Sequence, residues 1–362
     1  MTETITQRQL NRTLLSRQLL LERCDIRPLA AMERLAGMQS QIPNPPYIGL
    51  WTRLASFQKA ELTALLGSRE VVRAPWIRST LHLVSAADHQ RFQVVIQPAL
   101  ARSLRSFFGK RARDLDIPRL IEIAIPFLET ETPAIGALRD ELQRHFPQHD
   151  KEAMAYAVRS FLPMLQTPPS GAWGVGTRAT YTTAANWLGE AKQSDLATLF
   201  RRYLAAFGPA SVMDFQTWCG ITSLKTALAP VLKTLVAYRS EAGAQLVDLP
   251  DLPLLPEHAP ALIRFLPEYD NILIAHKDRA RILPEPHRKK VFLSAGRVLG
   301  AVLIDGFVGA IWKVSREKSR ARLSINLFEA VAAECQAAIE AEGLRLLRFI
   351  DEDAGDYAVE FD

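Results

Sequence analysis

Apolar residues in the first seventy positions recur at helical spacing. "TITQRQLNRTLLSRQLLLER" places Leu10, Leu14, Leu15 and Leu19 on one face, with Thr6 positioned to cap the start. "RPLAAMERLAGMQ" predicts a second helix opening near Pro28, and "QKAELTALLGS" a third. The period then changes. "EVVRAPWIRSTLHLVS" alternates and is rich in β-formers, which predicts two strands joined by a turn. Helices followed by a hairpin are the pattern of a winged helix.

The same order returns twice. "IPRLIEIAIPFLET", "IGALRDELQRHF" and "KEAMAYAVRSFLPMLQ" read as helices before the turn-rich "TPPSGAWGVGTRATYTTAANWL". "LATLFRRYLAAFGPASVMDFQTWCGITSLKTALAPVLKTL" reads as a third set, with a turn at Gly220, a next helix from Thr222 or Ser223, and "VAYRSEAGAQLVDLP" as its hairpin. Beyond about residue 263 several strands are predicted, with Asp305 and Gly306 as a hairpin turn, and one helix, "AVAAECQAAIEAEGLRLLRFI". A small β-barrel or strongly curved sheet capped by that helix fits. The fold class expected is α+β. Three tandem winged helices (1–98, 99–188, 189–262) precede a barrel-like β-domain (263–362).

A chain of 362 residues with 23% charged positions suits a folded multidomain protein. No apolar run reaches the roughly 18 residues that span a bilayer, and "MTETITQRQLNRTLL" has no signal-peptide core. Cys24, Cys219 and Cys335 are few and scattered, which argues against a disulfide framework or a zinc site and fits a reducing cytoplasm. The net charge of +5 hides a stronger bias. The final "DEDAGDYAVEFD" holds six acids, so residues 1–350 carry +11, a balance that suits a polyanionic partner. There is no glycine-rich phosphate loop, metal-spaced cluster or nucleophile elbow, and no cofactor is expected. "GVGTRAT" sits in a predicted wing, not a strand-to-helix turn.

Two loci carry candidate chemistry. In "MQSQIPNPP", Gln39 and Gln41 are separated by one residue. In mid-helix, residues two apart diverge by about 200°; in extended chain they share a face. Pro43 disfavours helix at Ile42, so the second helix is expected to end near Gln41, with Pro45 and Pro46 stiffening the loop. The plainer alternative is that both amides only cap a helix. The other locus is "AHKDRARI", where His276, Lys277, Arg279 and Arg281 either grip phosphates or form a solvated basic turn. Arg78, Thr80 and His82 alternate in "RSTLH", as DNA contacts or as structural residues. Asp270 suits the turn into the β-domain, and Trp218 and Trp312 suit a core.

"MQSQ", "RSTLHLVSAAD", "FGPASVMDFQTWCGIT", "LPEYDNILIAHKDRARI" and "DGFVGAIWKV", taken in order, resemble the winged-helix DNA glycosylases typified by AlkZ and YcaQ. The likeness covers nearly the whole chain. It implies that these units form a concave, basic DNA-binding channel, and that the protein is a monofunctional glycosylase acting on alkylated or crosslinked purines in double-stranded DNA, with Gln39 and Gln41 as a catalytic Gln-x-Gln motif. A nucleoid-associated cytoplasmic monomer with no membrane or metal partner is expected. A carboxamide is no general base, but it accepts and donates hydrogen bonds and so orients water. That suffices only where the leaving base is already cationic. The alternative reading is a non-catalytic regulator built from winged helices, which would pair half-sites as a dimer.

Overall fold

A computed structural model describes residues 3–176 and 178–362, so Thr177 of the "GVGTRAT" run and the first two residues of the N-terminal stretch lie outside it. Strand β1 (Glu3–Ile5) leads into α1 (Gln7–Arg17), which Thr6 caps by accepting from the Gln9 amide at 3.0 Å. Helix α2 (Pro28–Arg34) begins on proline as expected. It ends well before Gln41. Ala36 (φ 56°) and Gly37 (φ 86°) turn left-handed, and the chain enters a short strand, β2 (Met38–Gln39). The two prolines read as loop stiffeners instead open α3 (Pro45–Trp51), where a missing amide costs nothing at a first turn. Helix α4 (Lys59–Gly67) and the antiparallel pair β3 (Val71–Pro75) and β4 (Leu81–Ser85) follow as read.

Ser85 caps α5 (Ala86–Phe108), a 23-residue helix. Residues 98 and 99, expected to divide two units, fall inside it, so the passage between them is continuous helix. Helices α6 (Ile117–Glu131), α7 (Ile135–His145) and α8 (Lys151–Phe161) precede β5 (Met164–Gln166) and β6 (Tyr181–Thr183). These strands extend the first sheet, in the order β2-β4-β3-β5-β6. Next come α9 (Ala184–Leu188), α10 (Leu196–Phe207), α11 (Val212–Cys219), α12 (Lys225–Leu232), β7 (Val236–Ser240) and β8 (Gln245–Asp248). Gly220 (φ 80°) ends α11 as read, while α12 starts slightly later than expected. The hairpin gains β1 as a parallel third strand.

The last hundred residues hold β9 (Arg264–Leu266), α13 (Asn271–Ile274), α14 (Arg288–Val291), β10 (Ala301–Ile304), β11 (Phe307–Glu317), β12 (Arg320–Leu327), α15 (Ala333–Ile350) and β13 (Asp356–Phe361). The sheet order β13-β12-β11-β10-β9 is open, not a barrel: β9 and β13 lie at opposite edges and do not meet. Asp305 and Gly306 make the β10–β11 turn as read. "LPEYDNILIAHKDRARIL" is not the run of strands expected, because the Asp270 carboxylate accepts from the Ile272 amide at 3.1 Å and starts α13. The acidic tail is strand β13, parallel to β12, with Asp356 on Arg320 (2.6 Å) and Glu360 on Arg322 (3.2 Å). Part of the basic bias is thus neutralised within the sheet.

A central core runs through several of these units. Tyr203 and Phe207 of α10 pack with Phe215 and Trp218 of α11, and the cluster continues to Ala301 and Leu303 of β10. Trp312 is half-buried and donates to the Leu266 carbonyl at 2.9 Å. Arginines in and beside the N-terminal helices, Arg17 and Arg53 buried and Arg23 partly so, tie this region to distant chain. Arg17 meets Asp248 at 2.6 Å, Arg23 meets Glu342 at 2.6 Å, and Arg53 holds Asp270 through two bonds of 2.9 Å. Removing one member of such a pair strands a buried charge, whereas replacing both with apolar groups does not. D270A is therefore expected to destabilise by about 3–5 kcal/mol. The double variant R53M/D270L should be less destabilised than D270A, as read by urea midpoints.

Candidate active site

The Gln39 segment is held extended from several sides. Gln39 pairs with His82 across β2 and β4, and the Ser40 amide continues the ladder by donating to the Leu81 carbonyl at 2.7 Å. Arg73 of β3 donates from Nη2 to the Ser40 carbonyl at 2.6 Å and to the Gln41 carbonyl at 3.2 Å. Its Nη1 donates to Gln166 Oε1 (2.6 Å) and Ser170 Oγ (3.0 Å). From the C-terminal region, Asn271 Nδ2 donates to the Gly37 carbonyl at 2.9 Å. Only Met38 and Gln39 lie in the strand and the chain bends at Gln41, so this short extended stretch, not a helix stopping at Gln41, sets where the two amides stand. Gln39 is buried and Gln41 exposed, and Gln41 Oε1 accepts from the Leu81 amide at 3.4 Å.

Arg78 lies in the turn between β3 and β4, not on a strand with His82. Its Nη2 donates to Gln39 Oε1 at 3.0 Å and its Nη1 to the Trp218 carbonyl at 2.8 Å. Burial lowers its pKa to about 10, still cationic at neutral pH. His82 is fully buried. Its Nδ1 lies 3.1 Å from the Thr80 carbonyl; a carbonyl only accepts, so Nδ1 carries the proton and Nε2 is a bare acceptor. Burial and the neighbouring Arg78 charge push its pKa down to about 3. His82 thus offers no surface to DNA, and Arg78 directs both Nη atoms inward.

The basic loop is mostly interior as well. His276 is buried with Nε2 at 3.0 Å from the Phe207 carbonyl, and burial, reinforced by Arg281, lowers its pKa to about 3. Arg281 is buried and donates to the Pro209 carbonyl at 2.7 Å. Arg279 donates Nε to the Leu273 carbonyl (3.0 Å) and lies 4.6 Å over the Phe292 ring. Lys277 alone of the four is exposed, while its main-chain amide donates to Asp214 at 2.8 Å. Interior partners therefore replace the phosphates expected for His276 and Arg281. Arg73, Arg53 and Asn271 were missed by sequence reasoning. The available signal was Arg73 itself, a charge inside the apolar strand "VVRAPW", which needs internal acceptors.

The family model described as DNA glycosylase AlkZ-like matches residues 32–349, which include every residue of this site. The chain belongs to the AlkZ-like DNA glycosylase family. A Streptomyces sahachiroi protein named interstrand DNA cross-link repair glycosylase is 26% identical over 316 residues, covering 78% of this chain and 80% of the relative. The solved structure of Streptomyces sahachiroi DNA glycosylase AlkZ superposes with a TM-score of 0.81 at 19% identity, covering 99% of this chain and all of that one. That likeness extends over the whole AlkZ-like fold. Among the described residues no helix is long and apolar enough to cross a membrane, and no group of three or more His, Cys, Asp or Glu could hold a metal.

Three buried histidines give this AlkZ-like chain an acid sensitivity. His82 and His276 fall to about 3 and His89 to about 4, against 6.5 in the unfolded chain. Above pH 6.5 both states are neutral and nothing is lost. Below it only the unfolded state takes up protons, so stability falls until the folded values are reached, by about 1.4 kcal/mol per pH unit per histidine. H89Q should lose less stability than wild type between pH 6.5 and pH 5, measured by urea midpoints at each pH.

Proposed function

We propose that this glycosylase hydrolyses the N-glycosidic bond of cationic N7-alkylguanine and N3-alkyladenine, unhooking N7-linked interstrand crosslinks among its substrates. The observation that carries the reading is the state of the two amides of the Gln-Ser-Gln segment: Gln39 is buried and fixed by Arg78, and Gln41, two residues on, is exposed. The Streptomyces relative named for cross-link repair supports the substrate class. On this reading three winged-helix units and the C-terminal sheet line a concave channel for duplex DNA. Exposed Lys277 is the member of the basic loop that touches backbone, and the protein acts as a monomer.

Chemically, the base leaves with the bonding electron pair of C1′–N, which cancels its positive charge. A water held between the carboxamides bonds to C1′ and releases a proton to solvent. Neither amide has the proton affinity to abstract that proton early, so assistance comes from orientation and from dipoles facing the oxocarbenium charge. Water is the nucleophile, which makes the enzyme monofunctional. Neutral lesions lack the required leaving group.

The test uses a duplex carrying one N7-methylguanine, followed by alkali and gel analysis. Wild type should release the base and leave a uracil duplex intact. Q39A and Q41A should each slow release by about a hundredfold, the effect of removing one oriented dipole. Full activity in both variants, or absence of release by wild type on every alkylated duplex, overturns the reading.

A further inference from the structure

We infer that Arg78 is a positioning residue that fixes which atom Gln39 turns toward the reaction, and not a contact to DNA phosphate; this rests on the glycosylase reading above. A glutamine carboxamide rotates about its last torsion with little preference, so an unrestrained Gln39 would offer oxygen or nitrogen to a substrate interchangeably. A cationic donor is satisfied only by the oxygen. Arg78 Nη2 lies 3.0 Å from Gln39 Oε1, which leaves the two Nε2 hydrogens and one oxygen lone pair uncommitted to Arg78. The same bond polarises the amide and strengthens its N–H groups as donors.

The guanidinium is itself held. Its Nη1 is committed to the Trp218 carbonyl at 2.8 Å. The main chain of Arg78 is left-handed (φ 54°), and the next residue, Ser79, is also (φ 59°), conformations that persist only where surroundings impose them. Gly220 at the end of α11 supplies that surrounding. A Cβ there would stand 3.3 Å from both N and Cα of Arg78, so the absence of a side chain lets the third unit close onto the turn. Arg102 of α5 secures Gly220 by donating to its carbonyl and to Thr222 Oγ1, the latter at 2.9 Å. The first unit supplies Gln39, and the third supplies the carbonyl that aims the arginine at it.

The experiment compares R78M with wild type on three readouts: single-turnover release of N7-methylguanine at saturating enzyme, affinity for undamaged duplex across salt, and the Gln39 side-chain amide resonances. Those resonances are assigned as the ¹⁵N–¹H pair missing from Q39A. Release is expected to fall about tenfold or more, since a misplaced catalytic group costs that much. Affinity and its salt slope should stay within about twofold, and the amide pair should shift. A phosphate contact instead predicts unchanged saturated release, weaker binding and a salt slope reduced by about one. That result, an unmoved amide pair, or a joint loss of binding and release overturns the inference. R78K carries the same readouts if R78M does not fold, because a lysine point charge cannot bridge both acceptors. If wild type releases no base, the glycosylase reading fails, and the amide resonances still decide the Arg78–Gln39 contact.

Discussion

A buried guanidinium must find acceptors for its donors, and Arg73 finds them on the main chain of the Gln-Ser-Gln segment. Leaving such a cation unpaired inside a protein costs several kcal/mol. Arg73 is nearly inaccessible, and its partners are the carbonyls of Ser40 and Gln41, Gln166 Oε1 and Ser170 Oγ. The same cation therefore holds the candidate catalytic strand and joins it to strand β5 of the same sheet. Arg53 repeats the device one layer away: it locks Asp270, whose neighbour Asn271 reaches the carbonyl of Gly37 just before that strand. The segment keeps its shape through polar bonds from chain far away in sequence, with little local propensity of its own.

That division explains what the sequence made legible. Period and turn chemistry are local, so the helices, the hairpins, the Thr6 cap and the Asp305–Gly306 turn could be read directly. The Gln-x-Gln pair was legible as a motif, but its geometry was assigned to the wrong stop signal. Pro43 offers a stop signal, but left-handed Ala36 and Gly37 end the helix before the chain reaches Gln39. Pro45 and Pro46 were read as stiffeners because proline is compatible with both a rigid loop and a helix start. Sequence alone gives no preference between them until the partner surface is known. Strand β13 was hidden for a different reason: its acids counted as a tail until Arg320 and Arg322 stood opposite them.

Charge was the least transferable signal. "AHKDRARI" has the composition of a phosphate grip, yet His276 and Arg281 lie inside, against carbonyls of the α10–α11 connection. What decides is whether acceptors arrive from elsewhere, and those acceptors, Phe207 and Pro209, are some seventy residues away. Arg78 and His82 follow the same logic. Neither presents its charge or ring to a partner outside; both stand as interior neighbours of Gln39.

The groups around Gln39 also constrain the chemistry available there. Arg78, at about 10, remains a cation through the physiological range, and His82, at about 3, remains neutral. His82 carries its proton on the nitrogen facing Thr80. Neither exchanges a proton near neutral pH, and a carboxamide does not titrate at all. A reaction that needed a general acid to protonate the departing base would find none among these neighbours. Under the proposed mechanism the missing assistance is supplied by the substrate, because alkylation has already placed on the base the positive charge that an acid would otherwise provide. Selectivity for cationic lesions then follows from what the site lacks, and the rigid framework of arginines serves to hold a weak catalyst in one place.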